Sequence, residues 1–145
     1  MAGKTDIGPK IGITGEAEYR RELAAITTGL KTTRTEMQAV TSAFAAGDKS
    51  TAALTAQNEV LEKEVYSLNE QLSLQTNRLQ ELAQAYGVAD ARTQKMQQEV
   101  NKTTAQLNAA KLKIEANSRQ IQYNDSLLGK LGINIDAVGQ KLGLL

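Results

Sequence analysis

The sequence predicts an all-α protein of elongated coiled-coil helices, and three observations predict it. One seven-residue hydrophobic register runs unbroken from Tyr19 to Leu128. The chain is 41% hydrophobic but only 3% aromatic, which suits a long seam better than a globular core. Its single proline, Pro9, precedes the register, so no proline interrupts a helix.

With a and d as the two seam positions, a reads Leu23, Leu30, Met37, Phe44, Thr51, Asn58, Val65, Leu72, Leu79, Tyr86, Thr93, Val100, Leu107, Ile114, Ile121 and Leu128. The d series reads Tyr19, Ile26, Thr33, Val40, Gly47, Leu54, Leu61, Leu68, Gln75, Leu82, Ala89, Met96, Thr103, Ala110, Asn117 and Asn124. A repeat of 3.5 residues against 3.6 per helical turn gathers both series on a slowly drifting stripe, which paired helices bury by supercoiling. The residues expected to form an oligomer seam are Leu54, Asn58, Leu61, Val65, Leu68, Leu72, Leu79, Leu82, Val100, Leu107, Ile114 and Ile121.

Taken in order, residues 1–15 form an arm or short strand, with Gly3, Gly8, Gly12 and Gly15 around Pro9 and with Ile11 and Ile13 alternating. Gly3-Lys4-Thr5 ends like a phosphate-binding loop but lacks the earlier glycine and the preceding strand. No apolar run approaches a signal-peptide core or the ~20 residues of a membrane span. Residues 16–128 form the heptad region. Thr14 is placed to cap its start, and Glu16 and Glu18 favour the positive end of the helix dipole.

Breaks are expected at 45–48 and 87–90. Asp48 would cap a helix starting at Lys49, and Asp90 one starting at Ala91. The two breaks match at an offset of six whole heptads: Phe44 with Tyr86, Asp48 with Asp90, Thr51 with Thr93, Leu54 with Met96. Each joint is either a turn that folds the helices into a hairpin or a soft spot in one rod. A turn has no need to preserve the seam's phase, so the continuous register favours the rod. Residues 129–145 form a tail in which Gly129, Gly132, Gly139 and Gly143 space apolar residues such as Leu131, Ile133 and Val138.

Polar residues dilute the seam. Asn58, Gln75, Thr93, Thr103, Asn117 and Asn124 are either paired across an interface or solvated positions of a loose helix. If Asn58 sits in an interface between copies, Asn58→Leu should raise the melting temperature and shift the strand number. The a positions carry both β-branched and leucine side chains, so strand number stays open.

Composition narrows function. Lys and Arg number 17 against 16 Asp and Glu, a net charge of +1, so no global field draws the chain to nucleic acid or to an anionic membrane. With no Cys and no His, the chain lacks thiolate chemistry, the usual metal ligand and the commonest general base, and neither an enzyme nor a cofactor is expected. Glu59, Glu62, Glu64, Asp90, Glu99 and Glu115 sit among polar residues, with no apolar pocket to shift a carboxylate. Asn101-Lys102-Thr103 and Asn124-Asp125-Ser126 match the glycosylation pattern. Lys111, Lys113 and Arg119 surround Glu115 without an aromatic platform, which reads as solvated surface.

The opening Gly8-Pro9-Lys10-Ile11-Gly12-Ile13-Thr14-Gly15-Glu16-Ala17-Glu18-Tyr19-Arg20-Arg21-Glu22-Leu23 resembles the start of tail length tape measure proteins of long-tailed, non-contractile bacteriophages. The blocks Glu36-Met37 to Phe44, Asp48-Lys49-Ser50 to Leu54, and Asn58-Glu59-Val60-Leu61 to Glu64 are similar too. The resemblance implies a structural protein whose extended helical copies lie in the tail tube lumen and set tail length. It further implies a homo-oligomer, with the tail tube protein and tail assembly chaperones as partners, located in the host cytoplasm during assembly and then in the virion tail. Such proteins usually run to many hundreds of residues, so an N-terminal fragment or a truncated copy is expected. The alternative functions are a cytoplasmic coiled-coil adaptor or tether and, from the enzyme class, a lytic or membrane-active module.

Overall fold

The structure, a computed structural model, describes residues 15–131. Three helices fill nearly all of that span: α1 at Glu16–Ala43, α2 at Thr51–Tyr86 and α3 at Ala91–Lys130. No strand occurs among the described residues. The expected arm, the Thr14 cap and the tail beyond Leu131 lie outside them; Gly129 and Lys130 belong to α3.

Local chemistry sets the boundaries. α1 begins after Gly15, with Glu16 and Glu18 in its first turn and no side-chain cap. α2 is capped by Ser50, whose hydroxyl accepts from the Ala53 amide at 3.2 Å, so the helix starts at Thr51 and not at Lys49. Asp48, expected as that cap, instead accepts from the Ser50 amide at 2.7 Å and shapes the turn before it. Asp90 caps α3 as its sequence position implies, accepting from the Arg92 amide at 2.8 Å. Each joint carries a glycine of positive φ: Gly87, at 92°, is the C-cap that ends α2, whereas α1 ends at extended Phe44 and Gly47, at 76°, shapes the turn that follows.

Both joints are turns, and the chain folds back at each. Glu16 near the start of α1 binds Arg78 near the end of α2, and Glu36 near the end of α1 binds Lys63 at 3.1 Å. α2 and α3 are likewise antiparallel: Thr51 meets Asn124 at 3.3 Å and Asn58 meets Asn117 at 2.9 Å. Those last two pairs are placed symmetrically about the Gly87–Val88 bond. The single rod favoured by the register is therefore corrected. Phase continuity permits a rod but does not exclude a hairpin, because antiparallel helices use the same a and d stripe.

The register itself predicts burial closely. Within the helices every a and d residue is buried or half-buried, and the exposed exceptions, Gly47 and Ala89, lie in the turns. Leu54, Leu61, Leu68, Leu82 and Leu107 are the buried leucines, each contributing about 1.5–3 kcal/mol relative to exposure. α2 lies between the other two helices and alone buries residues off the seam: Ala53, Val60 and Arg78. α1 touches α3 near its start, where the Tyr19 hydroxyl donates to Met96 Sδ at 3.6 Å.

Candidate functional site

The seam between α2 and α3 carries the most developed polar structure in the molecule. Thr103, only 1% exposed, donates its hydroxyl to Gln75 Oε1 at 2.6 Å and accepts from Gln71 Nε2 at 2.8 Å. Gln75 is itself 3% exposed, so this is a buried network rather than a wet surface. Further along, Asn117 Nδ2 donates to Asn58 Oδ1, while Asn58 Nδ2 donates to Ser118 Oγ at 3.3 Å. Asn124 Nδ2 closes the far end on the Lys49 carbonyl at 3.0 Å and on the Thr51 hydroxyl. At the turn, Thr93 donates to the Gly87 carbonyl at 2.8 Å. Every diluting polar residue of the seam thus has a partner within the chain.

These contacts set register. Sliding α3 by one heptad sets Asn117 against Val65 and Gln75 against Leu107 in one direction, and Asn58 against Ala110 in the other, at a cost of about 1–3 kcal/mol per buried unsatisfied group. Of the expected seam residues, Leu54, Leu61, Leu68, Leu82 and Leu107 are buried. Asn58, Val65, Leu72, Leu79, Val100, Ile114 and Ile121 are half-buried.

A cleft of about 490 Å³ opens where the start of α1, the end of α2 and the start of α3 converge. Tyr19, Leu82, Tyr86 and Met96 form its apolar wall, and Arg20, Arg78, Arg92 and Lys95 carry its positive charge. Glu16 and Glu99 also line it. Its volume falls in the range of ligand pockets. Its three arginines, however, are engaged by this chain's own groups. Arg78, 3% exposed, binds Glu16 and Glu81, and lies 5.5 Å from the Tyr19 ring centre. Arg92 stacks 3.4 Å over Tyr86 and binds Asp90, while Arg20 binds Glu16.

The titrating groups follow from these contacts. The hydrogen bond from Arg20 holds the Glu16 carboxyl below its ordinary value, with Arg78 assisting against partial desolvation. Asp90 is held down to about 2, chiefly by the Arg92 side chain and then by its amide, which makes it a fixed anion and not a proton carrier. Desolvation, then Glu99 and Glu16, raise the Tyr19 phenol, keeping the proton that it donates to Met96.

The carboxylates singled out in the sequence do not converge. Glu99 lines the cleft, and 3.7 Å separates it from Lys102; Glu115 pairs with Arg119 at 2.9 Å; Glu59 and Glu62 are exposed on α2. No metal-holding cluster of acidic, His or Cys residues occurs among the described residues. Lys111, Lys113 and Arg119 are exposed along α3. Thr103 of the first glycosylation pattern is buried in the seam, and Asn124 of the second is hydrogen-bonded to the start of α2. Sequence reasoning missed Arg78, Val60 and Ala53, which lie off the seam and are buried because α2 is flanked on two sides.

Among the described residues no helix is long and apolar enough to cross a membrane. Comparison with protein-family models, with curated proteins and with solved structures gave no match to this chain.

Proposed function

We propose that this chain is a structural protein of phage tail assembly, the N-terminal region of a tape measure protein that works through helix pairing rather than catalysis. The observation that carries the structural part is the commitment of the a and d register of all three helices to helix–helix packing. The tail assignment rests on the similarity of Gly8 to Leu23 and of the blocks around Glu36, Asp48 and Asn58 to the start of tape measure proteins. In this reading the chain self-associates, meets assembly chaperones in the host cytoplasm, and is enclosed by tail tube protein in the virion. An adaptor or tether is the second reading, and the folding-back favours it. The longest helix spans about 60 Å, against roughly 165 Å for an unbroken helix over the heptad region.

An in-frame deletion of Asp48 to Ala89 in the complete gene tests the measuring role. It removes six heptads and, with them, the central helix. If the region lies extended in the lumen, tails shorten by roughly 63 Å in electron micrographs. Tails of normal length would oppose the measuring role and favour the adaptor.

A further inference from the structure

A register that stays in phase through the Gly87–Asp90 joint is more than a hairpin needs, and exchange of α2 and α3 between copies makes use of it. We infer that at tens of micromolar two copies of this chain exchange α2 and α3 to form an antiparallel, domain-swapped dimer in which the Gly87–Asp90 joint is straightened into one helix, while the isolated chain stays folded back. The proposal deepens the self-association in the reading above and rests on it.

The pairing geometry supports it. Because Thr51–Asn124 and Asn58–Asn117 are symmetric about the Gly87–Val88 bond, two straightened helices crossing at that bond restore the same pairs between chains. The Thr103–Gln75 bond, which runs diagonally across the seam with its midpoint at Ala89, keeps its place in that register. Exchange of identical contacts is a low-cost route to a dimer. It works only if the stripe of α2 continues in phase into α3, and Leu82, Tyr86, Ala89 and Thr93 keep that spacing through the joint. A hairpin turn imposes no such requirement.

The joint itself supplies the second argument. Ala89, a seam position, is exposed in the turn, as is its apolar neighbour Val88 at 72% exposure, and Tyr86 is half-buried. In the straightened helix Tyr86 falls opposite the partner's Ala89, completing the seam where the hairpin leaves it open. What holds the turn is the positive φ of Gly87 and the Asp90 cap. A Cβ at Gly87 would meet nothing within 4 Å, so Gly87→Ala opposes the turn through backbone conformation alone.

The test uses the full chain and a G87A/D90A variant, with mass from light scattering and shape from small-angle scattering at tens of micromolar. A dimer with a longest dimension near 120 Å is expected for the variant, the rise of a straight helix over Thr51–Lys130. Adding two alanines between Val88 and Ala89 of the variant keeps it helical but turns the α3 stripe by about 200°, to the opposite face, so the dimer is expected to be lost. Inserting a flexible Gly-Ser stretch there in the wild-type chain is expected to give only folded-back monomer. A variant that stays monomeric, or that dimerises equally well with the two alanines, would overturn the proposal. All readouts come from the purified chain, so failure here leaves the outcome of the tail-length test unaffected.

Discussion

Thr103→Val is the substitution that most sharply separates a buried polar network from a merely tolerated one. Valine matches threonine in shape, so no cavity forms, but Gln75 Oε1 and Gln71 Nε2 lose their partners at 2.6 and 2.8 Å. Gln75 is 3% exposed and has little access to water, whereas Gln71 is half-buried and reaches it more easily. One buried acceptor left unmade costs about 1–3 kcal/mol, and the methyl that replaces the hydroxyl returns part of that. A net loss of about 1–2 kcal/mol is expected. With a urea m-value of about 1–3 kcal/mol/M, the midpoint falls by roughly 0.5–1 M, read by circular dichroism at fixed protein concentration. The double change Gln75→Leu with Thr103→Val replaces both partners by apolar groups and should return close to wild type, giving a coupling of about 1 kcal/mol or more. Unchanged stability in Thr103→Val, or losses that simply add in the double variant, would refute the network.

Asn58→Leu is expected to lower stability by about 1–2 kcal/mol, not raise it, because it takes from Asn117, which is 8% exposed, the closer of its two acceptors and leaves only Gln57 Oε1 at 3.4 Å; Asn58→Leu with Asn117→Leu should recover the loss in the same urea titration. Gly29→Ala should stabilise α1 by about 0.5–1 kcal/mol, since the new Cβ would meet Ser67 Oγ at an ordinary 3.7 Å. Gly47→Ala should destabilise, its φ of 76° being strained for any side chain, and thermal melts of the pair should move in opposite directions. Asp90 falls from 3.8 to about 2 on folding, so its contribution is complete above pH ~5 and is lost as pH drops from ~4 towards 2. The stability advantage of wild type over Asp90→Asn should therefore shrink across that window; parallel pH profiles would contradict the Asp90–Arg92 pairing.

The helices and the buried stripe were legible because a seven-residue register encodes both, and the positions of Glu16, Asp90 and Tyr86 mark ends that the structure keeps. The folding-back was not legible from phase, which a rod needs and a hairpin merely allows. The discriminating signal lay in the polar seam. Asn58 and Asn117, and Thr51 and Asn124, are mirror pairs about the Gly87–Val88 bond, a symmetry that marks α2 and α3 as antiparallel partners. Asp48 reads as a cap because its surroundings copy those of Asp90, but Ser50 follows it and fills the role. Burial of Arg78 depends on α1 covering the second face of α2, a tertiary fact that no local pattern carries.

The central claim is that the isolated chain folds back on itself, and one distance tests it directly. Glu59 and Ala116 are exposed on α2 and α3 and are symmetric about the Gly87–Val88 bond, and the chain has no native cysteine to interfere with labelling. Spin labels on cysteines at these two positions, with the labelled chain diluted into excess unlabelled copies at low concentration, report the distance within one chain by pulsed electron resonance. Neighbouring antiparallel helices lie 8–10 Å apart, so a separation below about 30 Å between labels is expected. A distance near 85 Å, the rise of a continuous helix between these positions, would contradict the folded-back chain.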